Sequence, residues 1–586
     1  MNSRTLRRII EAALGKGKAD SVIRNISLVN VYSKEIQENQ AVGLFEDRIV
    51  FVGPDPGPWI GAKTRIVDGQ GQFLLPGFID AHTHLDSIFT CRGYTPYALL
   101  TGNTSAITEM AMVANVMGKP GMDWFMEEAK GLPLRIFFLA PALTPPFPEL
   151  ETSQGPNQKE FHRILRHPEV LGIGEAYWPR VTGLDPRILK SYPLARRLNK
   201  TREGHAAGAR NENLTAYVSS GVTSCHEATT LQEALERLRL GLAVMIREGF
   251  VRKELEAIAP ISGLGLDLHR LMLVSDLFPP EDLVQMKGMN ALLAKAVALG
   301  FDPVQAVIMV TRNVADYYGL QDLGGIAPGK LADLVLVKDL KTFHCSQVWA
   351  AGCLVADRGL FLPELPAYSF PDEARSPFSV PAVDPNLFSL PFSEPRAMIR
   401  VVKIVNQTIT AEEQAALITR NHGLHSDPDQ DVLKMAVIQR RDPLPRPCLG
   451  FARGLGLKRG AVATSLTWDA NNILVIGVSD SEMALAVNRL LELKGGWVVC
   501  AGEQILAEMP LPVMGLISEE PLPLLARQIR EMEQAFRTLG SGLERPYLTL
   551  QTFCFTGLPF IRLTDKGLAD IRQARLFDHS YLLDKT

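Results

Sequence analysis

The 586-residue chain lacks the features that mark membrane, secreted or nucleic-acid-binding proteins. Its seven cysteines, at positions 91, 225, 345, 353, 448, 500 and 554, form neither a CxxC pair nor a disulfide framework, which favours free thiols in a reducing cytoplasm. No apolar run reaches transmembrane length, and no signal-peptide core follows the basic N-terminus. A net charge of −3 gives no reason to expect nucleic acid or an anionic membrane as a partner. We therefore expect a cytoplasmic globular protein, and its length predicts several domains.

One motif near the N-terminal end of the chain combines a strand pattern with possible metal ligands. The apolar run Leu74-Leu75 reaches the turn Pro76-Gly77, resumes as Phe78-Ile79 and ends at His82 and His84. Residues i and i+2 of a strand point to the same side, so the two imidazoles would project together from a strand's carboxyl end. Barrel enzymes carry their chemistry at that end, and imidazole suits zinc, manganese and iron.

Four further acids and histidines follow apolar runs later in the chain. Glu175 ends the run that starts at Val170, and Asp276 ends the run that starts at Leu271. His205 follows a linker, and His226 follows a short strand-like segment. Each of these residues alone is better explained by capping or a buried hydrogen bond than by metal binding. Together with His82 and His84, their order favours a metal cluster.

The pattern along the chain predicts how these residues are arranged in domains. From about residue 76 to 320, strand-like runs alternate with helical stretches, which is typical of a parallel sheet or barrel. Residues 20–75 and 325–362 are β-rich and are expected to pair with each other, after an N-terminal helix. Residues 363–395 are rich in proline and serine, as in a linker. The last segment contains strands at 435–438 and 473–477 and helices predicted at 481–493 and 524–539.

Several motifs resemble those of the amidohydrolase superfamily and, within it, the adenine deaminases. In the barrel region they are Pro76–His84, Gly174–Glu175, Gly204–His205, His226–Glu227, Ser275–Asp276 and Gly325–Asp333. The similarity continues in the last segment at Gly454–Ala463, Pro510–Pro512 and Leu563–Leu568. It therefore covers nearly the whole chain.

The resemblance implies an α/β fold with three parts. These are a (β/α)₈ metal-dependent hydrolase barrel, a small β-sandwich built from the segments that flank it, and a C-terminal α/β domain. The implied boundaries are 1–75 for the N-terminal helix and the first part of the sandwich, 76–324 for the barrel, 325–362 for the rest of the sandwich, 363–396 for a linker and 397–586 for the C-terminal domain.

The resemblance also implies a site with two divalent metal ions, either Mn²⁺ or Fe²⁺, with Zn²⁺ as another choice. The implied ligands of the two ions are His82, His84, Glu175, His205, His226 and Asp276, of which Glu175 would bridge. Divalent cations make water more acidic, and Asp276 would accept and pass on its proton. The implied reaction converts adenine to hypoxanthine and ammonia in purine salvage, and the family suggests a homodimer.

Two segments depart from the family pattern. Where adenine deaminases usually have Asp-Pro-His-Glu, this chain has Glu109-Met110-Ala111-Met112. Ala111 and Met112 cannot transfer the proton that the family's glutamate is thought to handle on the purine ring. We predict that Glu109 serves as the second catalytic acid beside Asp276; the alternative is that Glu109 only caps the next helix. In the last domain, Trp468–Asn472 replaces His-Asp-Ser-His-Asn, and its role is not predicted.

Three functions remain open on this basis. The first is deamination of adenine, or of a similar small heterocycle. The second is another amidohydrolase reaction, such as opening a cyclic amide, which the apolar Met112 would favour. The third is a metal-binding homologue that has lost catalysis. Tyr177 and Trp178, just after Glu175, are expected either to line a purine pocket or to pack in the core.

Overall fold

The computed structural model describes residues 3–577 and 581–583. The ends of the predicted N-terminal helix and C-terminal domain, at residues 1–2, 578–580 and 584–586, lie outside this part. The chain begins with a helix whose Ile9 and Ala12 are buried, and this helix ends before Gly15, which takes a left-handed φ of 72°. Strands follow at once. These first elements are α1 (Ser3–Ala13), β1 (Ser21–Asn30), β2 (Glu35–Phe45), β3 (Arg48–Gly53), β4 (Arg65–Asp68) and β5 (Phe73–Pro76).

A barrel of eight parallel strands forms the centre of the molecule. Its strands are short apolar runs that are mostly buried, as expected for parallel strands covered by helices. They are β6 (Phe78–Thr83), β8 (Asn103–Thr108), β9 (Arg135–Ala140), β10 (Val170–Tyr177), β11 (Thr201–His205), β12 (Ser224–Cys225), β13 (Ala243–Arg247) and β14 (Leu271–Val274), while β7 (Ile88–Phe89) lies outside the barrel.

Strand pairing follows the chain order around the barrel. Strands pair in parallel in the order β6, β8, β9, β10 and β11, and again in the order β12, β13 and β14. The amide of Thr223 donates to the carbonyl of Arg202 and joins the two groups, at 2.9 Å. At the other junction the amide of Asp276 donates to the carbonyl of His82, at 3.1 Å. The barrel therefore closes at the point where two of the predicted site residues meet.

Helices connect the barrel strands and cover their outer side. Several begin with side-chain caps; for example, Asp185 and Asp302 cap the helices that start at Pro186 and Pro303. The helices are α2 (Cys91–Leu100), α3 (Ala111–Glu128), α4 (Gln158–Leu165), α5 (Trp178–Thr182), α6 (Pro186–Arg197), α7 (Asn211–Ser219), α8 (Leu231–Arg239), α9 (Leu255–Ile258), α10 (Pro280–Val284), α11 (Met289–Ala298), α12 (Pro303–Met309) and α13 (Arg312–Tyr318).

The two β-rich segments on either side of the barrel share one nine-stranded sheet. Its later strands are β15 (Leu334–Val337), β16 (Cys345–Ala350), β17 (Cys353–Asp357) and β18 (Leu360–Phe361). The two segments meet where β15 runs antiparallel to β5, with Leu334 opposite Pro76 and Val337 opposite Phe73. Leu74 and Leu334 belong to the buried cluster of this sheet. The prediction that the two flanks pair is confirmed.

Residues 363–395 cross to the last domain with two short 3₁₀ turns, Asp372–Arg375 and Pro385–Phe388. A mixed eight-stranded sheet then forms the domain's centre. Alternate residues of the strand Ile473–Gly477 face opposite sides of the sheet. Val475 packs with Val487 of α14, while Ile476 joins the cluster shared with the barrel. The elements are β19 (Arg396–Ile404), β20 (Thr410–Ile418), β21 (Val432–Ile438), β22 (Cys448–Arg453), β23 (Ala461–Thr464), β24 (Ile473–Gly477), α14 (Asp480–Glu492), β25 (Gly496–Ala501), β26 (Gln504–Pro510), β27 (Ile517–Ser518), α15 (Leu522–Thr538), α16 (Pro546–Gln551), β28 (Ile561–Thr564), β29 (Gly567–Asp570) and β30 (Arg575–Leu576).

The last domain contacts the barrel through backbone and side-chain hydrogen bonds. Strand β27 pairs in parallel with β7, and the Asp565 carboxylate accepts from the amide of Thr152 at 3.0 Å. The predicted fold class, an α/β fold with a hydrolase barrel and a C-terminal α/β domain, is confirmed. The flanking segments, predicted as a small β-sandwich, share one nine-stranded sheet. All seven cysteines are free thiols. No helix of the described residues has both the length and the apolar character needed to cross a membrane.

Candidate metal site and substrate cavity

His82 and His84 lie at the carboxyl end of β6, as their spacing predicts. Their ring centroids are 5.3 Å apart, and the His82 ring also stacks on His226 at 4.2 Å. The His82 side chain is completely buried, and both of its ring nitrogens lack a hydrogen-bond partner among the described residues. Buried polar atoms normally have partners, so these nitrogens are available to bind a ligand.

Glu175 brings three of the predicted histidines together. Its Oε1 lies 3.1 Å from His226 Nε2, 3.2 Å from His82 Nε2 and 3.5 Å from His84 Nε2. Burial raises the pKa of Glu175, but the neighbouring imidazoles outweigh burial and hold the pKa well below its usual range. One carboxylate oxygen therefore faces three ring nitrogens at the end of β10.

Asp276 faces the same histidines from the opposite side of the barrel. Its Oδ1 lies 3.4 Å from His82 Nε2 and 3.5 Å from His84 Nε2. Its backbone has a left-handed φ of 57°, a conformation that costs free energy in a residue other than glycine. Such strain at a chain segment next to histidines is typical of functional sites.

A second group of possible ligands adjoins the first. His205, His226 and Glu227 place one ligand atom each within 4.8 Å of one another, as do His82, Glu175, His226 and Asp276. Glu227 Oε1 lies 3.4 Å from His205 Nε2 and 3.3 Å from His226 Nε2. His226 thus belongs to both groups, and all six predicted ligands lie in this one region.

The donor set fits divalent metal ions. Burial lowers the pKa of His82, yet the nearby carboxylates of Asp276 and Glu175 raise it well above its usual value. The two carboxylates therefore attract positive charge strongly at this point. Neutral imidazole and carboxylate are ligands for zinc, iron and manganese, and a bound cation would supply the charge that the carboxylates favour.

A cavity opens above these groups, and both domains line it. The barrel contributes Ala111, Met112 and Tyr177. The C-terminal domain contributes the other wall, which includes Leu466, Trp468, Asp469, Gln551, Phe555 and Leu558. Tyr177 therefore lines the cavity, whereas Trp178 donates its indole N–H to the carbonyl of Ala207 at 2.9 Å.

Glu109 lies behind Glu175 rather than in the cavity wall. Its Oε1 accepts from the amide of Glu175 at 3.1 Å, and its Oε2 has no hydrogen-bond partner among the described residues. Burial and the charge of Glu175 raise the pKa of Glu109 to about 8. The capping alternative is wrong, since Met110 is the N-cap of α3 and no side chain caps that helix end.

The segment Trp468–Asn472, whose role the sequence left open, forms a tight loop at the cavity. The Asn471 amide group donates to the carbonyl of Asp469 at 2.7 Å, and its oxygen accepts from the amide of Thr467 at 3.0 Å. Asn472 donates to Asp565 at 3.1 Å. These bonds direct Trp468 and Asp469 into the cavity, where Tyr177 donates its hydroxyl to Asp469 at 3.0 Å.

Sequence reasoning missed three residues of the site. Glu227 directly follows His226, and Arg247 is a charged residue at the end of an apolar strand, so both carried the signal used for the other ligands. Arg247 forms ion pairs with Glu227 and Glu254 and lies 3.5 Å from Asp276. Asp469 carried no local signal, because its position depends on how the two domains pack.

Comparison with known proteins agrees with this arrangement. Residues 73–355 match the model of the amidohydrolase family, and residues 407–575 match that of the adenine deaminase C-terminal domain. The adenine deaminase of Desulfatibacillum aliphaticivorans is 36% identical over 96% of this chain and 98% of its own. The adenine deaminase of Moorella thermoacetica is 34% identical over 98% of this chain and 97% of its own. That of Archaeoglobus fulgidus is 33% identical over 98% of this chain and 98% of its own. The chain belongs to the adenine deaminase family of the amidohydrolase superfamily.

Proposed function

We propose that the protein hydrolyses adenine to hypoxanthine and ammonia with the help of bound divalent metal ions. The observation that carries this proposal is the cluster of His82, His84, Glu175, His226 and Asp276 at the base of a cavity. The domain that closes this cavity matches the C-terminal domain of adenine deaminases. Relatives with that name align with nearly the whole chain.

Two metal ions, Mn²⁺ or Fe²⁺ with Zn²⁺ as another choice, are part of this proposal. His82, His84 and Asp276 would hold one ion, His205 and His226 the other, and the carboxylate of Glu175 would lie between them. Glu227 is a further candidate for the second ion, because it faces both of that ion's histidines. When bound, such ions supply Lewis acidity and make water a stronger acid.

Proton movements fall to the carboxyl groups of the chain. Asp276 would take a proton from the attacking water and deliver it to the leaving amino group, since it lies at the base of the cavity beside both histidines of β6. Arg247, 3.5 Å away, holds the other oxygen of Asp276 in place. Glu109 is the proposed source of the proton for the purine ring, which water in the cavity would carry from it because it lies behind Glu175. Glu109 would regain a proton from the hydroxyl group left on the ring carbon when the amino group departs. Overall, the attacking water then contributes one proton to the purine ring and one to ammonia.

A second candidate function is the hydrolysis of a cyclic amide at the same site. The observation that favours it is that Ala111 and Met112 present apolar side chains to the cavity, where the family has a histidine and a glutamate. Such a wall would accept a ring that needs no proton from that side.

Ammonia release separates the two candidates. Protein loaded with Mn²⁺, Fe²⁺ or Zn²⁺ is incubated with adenine and with a panel of cyclic amides, and ammonia and ring opening are measured. Adenine turnover that Asp276→Asn abolishes is the expected result. Ring opening of a cyclic amide without adenine turnover would contradict the deaminase proposal, and metal-loaded protein inert toward every compound would indicate a lapsed enzyme.

The remaining parts of the proposal concern the protein's surroundings. We propose a cytoplasmic homodimer that acts on a small molecule in purine salvage, with neither nucleic acid nor a membrane as a partner. Light scattering after size-exclusion chromatography tests the dimer, and a monomeric active enzyme would contradict it.

A further inference from the structure

The cavity is lined by four carboxyl-bearing side chains, and one of them lies outside the candidate metal groups. Glu175 and Asp276 belong to the first group, and Glu227 belongs to the second. Asp469 belongs to neither, and it reaches the cavity from the C-terminal domain. Its role is therefore to be sought in the cavity itself.

The loop holds Asp469 in a fixed direction. Trp468, Asp469 and Asn471 have left-handed φ angles of 53°, 43° and 50°, which cost free energy unless the surroundings enforce them. Both carboxylate oxygens of Asp469 lie 3.0 Å from the Tyr177 hydroxyl. Only 6% of the Asp469 surface is exposed. A buried carboxyl on a strained loop is preorganised for a specific contact.

Part of the facing wall offers no side-chain hydrogen bond to a heterocycle. Ala111 and Met112 present apolar side chains, and Met112 uses its amide to bind Asp86 at 2.8 Å. A ring nitrogen buried without a partner would weaken binding. Trp468 and Phe555, packed edge to face at 5.0 Å, enclose the cavity around Asp469.

From this arrangement we propose that Asp469 forms a hydrogen bond with a ring nitrogen of the bound heterocycle and thereby determines which heterocycles the site accepts. The inference rests on the proposed function. A carboxyl group suits this contact, because it accepts from a ring N–H and, when it carries a proton, donates to an unprotonated ring nitrogen. The C-terminal domain would then recognise the heterocycle, while the barrel carries out the hydrolysis.

The test compares adenine with analogues that each lack one ring nitrogen, namely 1-deaza-, 3-deaza- and 7-deazaadenine. Their dissociation constants are measured for the metal-loaded wild type and for Asp469→Ala. In the wild type, one analogue is expected to bind about 10–100-fold more weakly than adenine, the range for a hydrogen bond to a polar or charged group. In Asp469→Ala, that analogue should bind as tightly as adenine does. The affinities of the other two analogues relative to adenine should stay as in the wild type.

Matched variants separate substrate contact from support of the fold. Asp431→Asn changes a half-buried carboxyl of the same domain, one that accepts from the amides of Gly454 and Gly456 away from the cavity, and it should leave the analogue pattern as in the wild type. Asp469→Asn serves if the alanine variant does not fold, because it preserves an acceptor for Tyr177. Tyr177→Phe keeps the ring that lines the cavity but removes the hydroxyl that binds Asp469, so it should reduce the difference between adenine and that analogue without abolishing it.

The outcomes distinguish this inference from the proposed function. An active wild type whose Asp469→Ala variant keeps the same analogue differences would overturn the role of Asp469 alone. A wild type that binds metal but neither binds nor deaminates adenine would overturn both. Equal losses for all ligands in Asp469→Ala and Tyr177→Phe would show a supporting role and also overturn the contact.

Discussion

At the scale of single residues, Glu109 offers a direct test of the proposed proton transfer. Glu109→Gln preserves the side chain's shape and its acceptor for the Glu175 amide, but it cannot exchange a proton. We expect kcat to fall by about 10²–10⁴-fold, the usual contribution of a general acid or base, while metal content stays unchanged. Steady-state kinetics and metal analysis measure both. A variant with full kcat would rule out proton transfer by Glu109. A variant that loses metal would show that Glu109 instead supports Glu175.

His226 tests how the two metal groups share ligands. His226 is proposed for the second ion, but it belongs to both candidate groups and its Nε2 lies 3.1 Å from Glu175 Oε1. We therefore expect His226→Ala to lose its own ion and to bind the other more weakly, whereas His205→Ala should lose one ion. Metal analysis after gel filtration, with thermal unfolding to check folding, gives the answer. Equal metal content in the two variants would contradict the shared position of His226. His162, which binds Gln158 away from the site, provides the control His162→Ala.

The six predicted ligands could be expected to lie close together, because most of them follow a local signal in the sequence. His82 and Glu175 come directly at the ends of apolar runs, and parallel strands of a barrel bring such ends together. Asp469 could not be found in this way, since its loop lies almost 300 residues after Tyr177. Glu109 was placed in the right strand end, but only the structure shows that its side chain lies behind Glu175 instead of in the cavity.

At the scale of elements, the turn after β13 supports the catalytic end of β14. A Cβ added to Gly249 would lie 1.9 Å from the carbonyl oxygen of Ser275 and 2.6 Å from that of Leu277. Since these residues flank Asp276, we expect Gly249→Ala to shift its carboxylate, to cost about 1–3 kcal/mol in the free energy of unfolding and to lower kcat. Chemical denaturation and kinetics measure the two effects.

Gly263 provides the matched control for this substitution. An added Cβ at Gly263 meets no atom within 4 Å, so Gly263→Ala should keep wild-type kinetics. A Gly249→Ala variant with unchanged kcat would show that the segment around Asp276 tolerates the shift.

Elements were predicted where one periodicity dominates. The helices expected at 481–493 and 524–539 are α14 and α15, because their buried residues recur at helical spacing. Strand β12, with only Ser224 and Cys225, lies in the short strand-like segment predicted before His226, although two residues show no periodicity of their own. Three short helices, α11 to α13, follow each other between residues 289 and 318, and Asp302 and Thr311 are the N-caps of the second and third.

At the scale of the whole molecule, the shared cavity predicts that substrate binding is felt in both domains. We expect adenine, added to metal-loaded protein, to slow amide hydrogen exchange at residues 466–472 and 555–558 as well as at the barrel end near residues 82–86. A bound ligand stabilises the groups it contacts against local opening. Hydrogen exchange followed by mass spectrometry measures this. Helix α1, which packs on β3, serves as the internal control, and protection confined to the barrel would contradict the shared cavity.

The overall arrangement was predictable from the family resemblance more than from patterns within the chain. Alternating runs indicated a parallel sheet or barrel, but they do not fix how a separate domain packs against it. The contact between β7 and β27 joins Ile88 to Ile517, and neither two-residue strand has a recognisable sequence signal. Such contacts depend on tertiary packing of surfaces that form only after each domain has folded.

The pairing of β5 with β15 has a consequence for how the protein is made. Leu74 shares its buried cluster with Leu334 and Trp349, yet the ribosome must synthesise the whole barrel in between. At about 5–20 residues per second, the free edge of β5 waits roughly 10–50 s for its neighbour. During that time an unpaired apolar edge is open to strands of other nascent chains. A ribosome that stalls within the barrel would therefore release a truncated chain in which the edge of β5 is exposed and unpaired. Such chains should depend on chaperones to stay soluble.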